Sequence, residues 1–413
     1  CALIMNVFRK ISVWSSGMGR VFRNELRVIF HDFGVLLFFF GLTFLYPVVY
    51  TLIYNPEVTR KLPVAVVDDS RSAESRDFVQ RASASPAIDI YTYCNDMNEA
   101  RAVMAANDCF AIIKIPYDYG KNIGRGEPAH VEMFFDMSLL LRYRTLLSAM
   151  TDLQVDMINN LTGERISAAG LSSYAASGAL PIQSESNFLG DTEQGFASFI
   201  IPGIVILILQ QGMLLGITFL GGTANERRRR NGGIDPEAVN DAGPMATIWG
   251  RTFAYVLVLI PSTVYVMRII PEIFNLPHYG SPVDYYLFIF PMLLATAFMG
   301  QTLNLIMKER ESAFIIWVFT SVIFLFLSGL TWPRYAMGPL WTALGDCVPA
   351  VWGVEGFIRI NSNAASLSEV SRPYVWMWIL TGVYMITAYF TVKYIRSKER
   401  RLKTVKTQSN GGY

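Results

Sequence analysis

Charge is what this 413-residue chain has least of. Only 16% of its residues are charged, against roughly 25% in soluble domains, while 52% are apolar and the mean hydropathy is +0.33. A soluble single domain has no need of such a composition. The net charge of +2 is nearly balanced and gives no reason to expect nucleic acid as a partner. Cysteine is sparse too: Cys1, Cys94, Cys109 and Cys347 are too scattered for a disulfide framework and form no CxxC pair. Whether Cys94 and Cys109 join stays open, because spacing along the chain does not fix a Cα separation. It also stays open whether Cys1 to Ile4 are native, since the first methionine is Met5.

Catalytic motifs are missing as well. The one Gly-Lys pair, Gly120-Lys121, has Ile115 where a phosphate-binding GxxxxGK[ST] loop needs its first glycine. The histidines His31, His130 and His278 lie far apart, and neither HExxH nor GxSxG occurs, so metal and triad chemistry have no support. Asp68-Asp69 at a strand end before Ser70 reads as a turn and a helix cap rather than as a catalytic pair. No bound cofactor and no metal site are expected of this chain.

Long uncharged stretches, by contrast, are plentiful. A bilayer core of about 30 Å needs roughly 20 apolar residues. Phe33 to Tyr54, a core within Gly195 to Asn225, Tyr285 to Met307, Ser312 to Pro333 and Pro373 to Val392 meet that test. A sixth, around Thr252 to Ile270, meets it if Arg251 and Arg268 snorkel to opposite interfaces. Pro47, Pro202, Pro261 and Pro291 fall inside these spans, where proline is commoner than in soluble helices. With the N-terminus inside, segments 1–32, 226–251, 308–311 and 393–413 carry 19 Lys and Arg, and the short outer loops 268–284 and 334–372 carry 4. This bias places both termini in the cytoplasm and 55–194 outside.

The expected fold is therefore a polytopic α-helical membrane protein with six transmembrane helices and an inserted α+β extracytoplasmic domain. Residues 1–32 hold an interfacial helix, 33–54 the first span, 55–194 the outer domain, 195–392 five spans, and 393–413 a basic cytoplasmic tail. Within the outer domain, Leu62 to Val67, Ile88 to Tyr93, Phe110 to Ile115 and Val131 to Phe135 read as strands and Asn98 to Ala105 as a helix. From Ser138 to Leu161 apolar residues recur at helical spacing, followed by a Ser/Ala/Gly-rich stretch from 167 to 178.

Three features carry the functional reading. Arg20 to Phe33 is amphipathic: Phe22, Leu26, Ile29, Phe30 and Phe33 form one face, and Arg20, Arg23, Asn24 and Arg27 the other, as in a helix lying in the membrane interface. The second span runs out into Glu226, Arg227, Arg228, Arg229, Arg230 and Gly232, either a docking run or a plain positive-inside signal that meets anionic lipid. The fifth span ends at Ser328, Gly329 and Pro333, and the loop 334–372 is oddly apolar, as if short helices dip back into the membrane. Gly212 and Gly216 add a GxxxG pair for close helix packing.

Ser328-Gly329 with Pro333, then Pro349 and Glu355-Gly356-Phe357-Ile358-Arg359, resemble the fifth-span and outer-loop signature of permease subunits of type-2 ABC exporters. Ile115-Pro116-Tyr117-Asp118-Tyr119 and Val131 to Ser138 resemble the branch with a large domain after the first span. The resemblance covers nearly the whole chain in span order. It implies a coupling segment at 224–248, with Glu226 to Gly232 seated in a groove of a cytoplasmic ABC ATPase subunit, and an outer gate at Ser328, Gly329, Pro333, Pro349 and Glu355. It also implies a dimer with a second permease copy, ATP and Mg used by the partner subunit, and outward movement of a drug-like or lipid-like substrate across a bacterial inner membrane. Whether a periplasmic adaptor meets the outer domain is left open. The alternative is a membrane-anchored sensor or assembly protein whose outer domain binds a ligand. An intramembrane enzyme would need paired ionisable groups within the spans, and none are there; Gln210, Gln211 and Asn304 are polar but do not titrate.

Overall fold

The computed structural model describes residues 2–54, 60–168, 195–239 and 242–410. Most of the stretch from 167 to 178 lies outside the described residues. By packing, the chain divides into two compact units, Cys1–Asn55 with Phe188–Tyr413, and Pro56–Asn187. In chain order the first unit opens with α1 (Ala2–His31) and α2 (Phe33–Tyr54). The second contains β1 (Leu62–Asp68), α3 (Ala73–Ala84), β2 (Ile88–Cys94), α4 (Met97–Ala105), β3 (Ala111–Ile115), α5 (Tyr119–Arg125), β4 (Glu132–Phe135) and α6 (Leu140–Ala168). The first unit resumes with α7 (Phe196–Arg230), α8 (Pro244–Ile273), α9 (Pro282–Leu303), α10 (Ser312–Leu327), α11 (Pro339–Asp346), α12 (Pro349–Asn363) and α13 (Ser371–Asn410).

The smaller unit is one four-stranded sheet in the order β2-β1-β3-β4, with β1 parallel to β2 and β3, and β4 antiparallel at the edge. Three parallel strands joined through helices refine the α+β expectation toward βαβ units. Parallel strands need cover on both faces, and β1 has it. Val64 and Val66 pack under Leu146, Met150, Leu153 and Met157 of α6, while Ala65 and Val67 meet Ala100 of α4 on the other side. Asp68 closes β1 as a turn residue: Oδ1 accepts the amides of Ser70 and Arg71, and Oδ2 accepts the Ser75 hydroxyl. Burial, with the carboxylates of Asp77 and Glu74 nearby, pushes the Tyr119 phenol up to about 12, so this ring stays neutral and packs on Phe78. Cys94 and Cys109 are buried free thiols. Both lie in one small cluster with Ala65, Val67 and Ala100 on the α4 side of the sheet.

In the larger unit five described helices are long and apolar enough to cross a membrane: α2, α7, α8, α9 and residues Ser371–Thr404 of α13. The stretch expected to span from Ser312 to Pro333 stops as a helix at Leu327. The reason is local: the chain turns at Ser328-Gly329, with Gly329 at φ 89°. At 16 residues α10 is about 24 Å long, short of a bilayer core. Arg251 and Arg268 each have a carboxylate partner in the fold. The α8 helix starts earlier, at Pro244, Arg251 is paired inside the bundle with Glu25, and Arg268 is paired with Glu272 at 2.6 Å.

The centre of this unit is α7, buried on nearly every side from Ala197 to Gly222. Its small residues set how close the neighbours come. A methyl on Gly212 would stand 2.9 Å from Thr43 Cγ2 and 3.2 Å from the Phe38 carbonyl, and one on Gly216 would enter the Phe39 ring. Both glycines thus face α2 of the same chain. There α2 loosens into a π-helical stretch, Leu37–Leu42, and the Thr43 hydroxyl bonds the Phe39 carbonyl and Ser262 of α8. Gly216→Val must push the Phe39 ring aside, and overpacking of this kind costs about 1–3 kcal/mol. The thermal midpoint in detergent should fall, whereas Gly382→Val, with open space around it, should leave it unchanged. Equal midpoints for the two variants would refute the close approach of α7 to α2.

Candidate functional site

At 1.5 Å per residue the 35 residues of α7 reach about 52 Å, well beyond a hydrocarbon core of about 30 Å. Glu226 to Arg230 are the protruding end of the span and not a separate helix. Four arginines in the last turn complement the negative end of the helix dipole. Asn231 Nδ2 then donates to the Arg227 carbonyl at 2.9 Å, and Gly233 N donates to the Arg228 carbonyl at 2.6 Å. Gly232 and Gly233 have φ of 66° and 93°, a turn that side-chain-bearing residues resist.

The sequence suggested arginines aimed at a partner. Three of the four point back into the chain. Arg227 pairs with Asp235 at 3.0 Å and with Glu237 at 3.1 Å. Arg228 reaches Glu399 of α13 at 2.6 Å, with side-chain exposures of 17% and 6%. Arg229 donates to the Lys308 carbonyl at 2.7 Å and meets Glu309 at 3.1 Å. Arg230 alone looks outward, 82% exposed, with Glu226 at 3.9 Å. Glu226 also accepts the Arg310 amide at 2.8 Å, and the Arg310 guanidinium lies over the Phe219 ring and pairs with Asp32 at 2.6 Å. Asp32 in turn caps α2 by accepting the amides of Gly34 and Val35.

The amphipathic helix α1 packs differently from the expected face. Its buried stripe is Val21, Glu25 and Ile29, with Phe22 and Leu26 half-buried beside it. Phe30 and Phe33 are exposed, as are Arg23 and Arg27. Glu25 lies on the buried side because α8 supplies its partners: the Tyr255 hydroxyl donates to one carboxylate oxygen and Arg251 Nε to the other at 3.3 Å. Sequence reasoning missed Glu25, Asp32, Asp235 and Glu399. A signal existed for Glu25, since a lone carboxylate four residues from Val21 and from Ile29 shares their face.

The apolar segment 334–372 forms α11 and α12. Ser328 Oγ donates to the Leu325 carbonyl and accepts the Leu330 amide, which fixes the turn at Gly329. Pro333 precedes a single 3-10 turn at Arg334–Ala336, and Pro349 begins α12, where its missing N–H is harmless. Arg334 pairs with Glu355 at 2.9 Å and with Asp346, and lies over Trp352. Gln210 of α7 accepts the Ala350 amide at 2.6 Å, satisfying a donor in the first turn of α12.

A second feature is a cleft of about 270 Å³ between α2, α7 and α10, lined by Leu42, Tyr46, Tyr50, Leu207, Gln211 and Trp317 among others. Gln211 is 5% exposed, and neither its amide atoms nor Trp317 Nε1 has a hydrogen-bond partner among the described residues.

Apolar helices of spanning length, ordered around a buried α7, define a multi-pass membrane protein. The chain belongs to the ABC-2 family of transporter proteins, whose pattern matches residues 33–390. It is similar to ABC transporter G family member 23 of Dictyostelium discoideum, with 21% identity over 322 residues, 77% of this chain and 43% of that protein. The chain thus spans less than half the length of this relative. These likenesses make it a membrane component of an ABC transporter.

Truncating one member of a buried ion pair leaves the other uncompensated, which costs about 3–5 kcal/mol. Arg228→Ala and Glu399→Ala should each destabilise the purified protein by about that much, and the double variant by less than the sum. Two losses below about 1 kcal/mol, the size of an exposed pair, would show that α7 and α13 are not tied there.

Proposed function

We propose that this chain is the membrane subunit of an ATP-driven exporter for a hydrophobic or amphipathic substrate, drug-like or lipid-like, with ATP and Mg used by a separate cytoplasmic ATPase subunit. The observation that carries the reading is the ion-paired block at the arginine end. Glu25–Arg251 joins α1 to α8, Arg228–Glu399 joins α7 to α13, and Asp32–Arg310 joins the start of α2 to the lead-in of α10. A push on any exposed part of that block reaches several spans together. The exposed Arg230, the Gly232 turn and the outer face of α1 with Arg23 and Arg27 are what it offers a docking partner.

Transport requires the ATPase to bind two states of the permease with different affinity. The cleft with Gln211 and Trp317 supports a substrate that is mostly apolar and carries a hydrogen-bonding group. Ser328, Gly329, Pro333, Pro349 and Glu355 would form the outer gate, with the Arg334 pairs holding it shut. In this reading two permease copies form the transport unit, α10 with the segment after it serves as a sixth span, both termini are cytoplasmic, and the 56–187 unit faces the outside of a bacterial inner membrane. The positive-inside bias supports that orientation.

Two experiments test the reading. With Cys347 replaced by serine, cysteines at Ser83 and Ser281 should react with an impermeant thiol reagent in sealed cells, and those at Asn231 and Thr404 should not. Labelling of Asn231 from outside would sink the orientation. Arg230→Glu reverses an exposed charge with little role in the fold, so the thermal midpoint should hold. Recovery of the ATPase with the permease should drop about tenfold, the size of ~1.4 kcal/mol at an interface. Full recovery with full substrate-stimulated hydrolysis would place the docking contacts elsewhere.

A further inference from the structure

Beside the ion-paired block, a groove of about 810 Å³ opens between the turn that ends α7, the connection from α9 to α10, and α13. Its lining is divided by chemistry. Arg229, Lys308 and Lys398 form the charged part, while Leu305, Tyr394 and Leu402 form the apolar part. The only acidic side chain in the lining is Glu399, and Arg228 neutralises it at 2.6 Å. Arg229 is partly satisfied by Glu309 at 3.1 Å. Lys308 and Lys398 are exposed and have no ion-pair partner among the described residues, so the groove keeps an excess of positive charge.

The groove also has a level in the membrane. Leu305 and Ile306 follow directly on the last turn of the spanning helix α9 and are exposed, and Tyr394 stands exposed on α13 one turn before Lys398. Exposed tyrosine followed by lysine is the order of side chains at a bilayer surface, where the ring sits at headgroup depth and the ammonium beyond it. A small soluble anion would use only the lysines and arginine. A ligand that uses the apolar shelf as well must carry an anionic group on a hydrocarbon body.

We propose that this groove holds the headgroup and glycerol end of an anionic phospholipid, its phosphate held by Lys308, Lys398 and Arg229 and its upper acyl chain resting on Leu305 and Tyr394. Basic pockets between helices at a membrane surface suit such headgroups, because each lysine or arginine adds attraction for the anionic lipid. The assignment depends on the chain being a membrane protein and not on transport. Lipid retention and ATPase recovery are separate measurements, so either can fail without the other.

The test uses the full chain in nanodiscs of phosphatidylcholine with phosphatidylglycerol, followed by detergent extraction and native mass spectrometry. At least one phosphatidylglycerol should remain bound per chain, with phosphatidylcholine lost. Lys308→Glu with Lys398→Glu should lower that occupancy about tenfold or more, and the milder Lys308→Gln with Lys398→Gln should lower it at an unchanged thermal midpoint. Arg400→Glu, which changes the charge by two units as the double glutamine variant does, is the control, since two residues on from Lys398 it lies on the opposite face of α13. Phosphate at tens of millimolar should not displace the lipid. Retention by both double variants, equal loss from the Arg400 control, or displacement by free phosphate would overturn the proposal. So would a groove that keeps no lipid while Lys308 and Lys398 prove necessary for recovering a protein partner.

Discussion

A charge drawn out of water at the edge of a bilayer is tolerated only with a partner at hand, because removing an ion from solvent costs several kcal/mol that its own helix does not return. The arginine end of this protein is arranged around that constraint. Glu25 would be an uncompensated carboxylate on the buried face of α1 were it not for Tyr255 and Arg251 on α8. Glu399, 6% exposed, is matched by Arg228 in the same way. In each case the partner comes from another helix, so the pairing that makes the burial tolerable also fixes which helices lie together. Asp32 extends the pattern, since one carboxylate oxygen both caps α2 and accepts from Arg310.

The packing around α7 follows from a different need. A helix buried on nearly every side has little outward surface to absorb misfit, so its contacts are made with small residues: Gly203 under Leu330, Gly212 and Gly216 against α2, Gly221 against Asn304, Gly222 against the backbone at Glu309. Little room is left for α7 to shift alone. A displacement at its charged end is shared with α2, with the connection before α10 and with α13, which is the behaviour expected of packed elements that move between discrete arrangements.

Much of the fold was legible because it rests on long one-dimensional patterns. The apolar stretches containing α2, α7, α9 and α13 stand out by length, and the runs Leu62 to Val67, Ile88 to Tyr93 and Phe110 to Ile115 each hold a strand, the last from Ala111, because β-rich runs between turn residues leave few other options. The helices α3 and α5 were not anticipated. Ala73–Ala84 has a mixed, polar sequence stabilised by its Ser72–Ser75 capping box and by burial of Phe78 and Val79, and Tyr119–Arg125 is only seven residues long. The arginine run was visible, but its direction was not. Glu399 lies 171 residues from Arg228, and nothing local tells a run that pairs inward from one that waits for a partner. The buried stripe of α1 was hidden for a related reason: apolar periodicity picks out Phe30 and Phe33, which are exposed, whereas the stripe that packs on α8 includes a paired carboxylate, Glu25, against the rule that apolar residues point inward.

Gln210 and Gln211 show how neighbours on one helix can serve different ends. One residue rotates a side chain by about 100° around the axis, so the two amides face different elements. Gln210 turns its oxygen to the Ala350 amide and thereby seats the first turn of α12, so its oxygen has a structural use in the bundle although its Nε2 has no partner among the described residues. Gln211 lines the cleft beside Tyr46 and Trp317 with both amide atoms unpaired among the described residues. An unmet buried amide destabilises a fold by about 1–3 kcal/mol, and the bundle gains nothing from it. An amphipathic substrate that brought one donor or acceptor into the cleft would relieve that deficit, whereas a wholly apolar one would not.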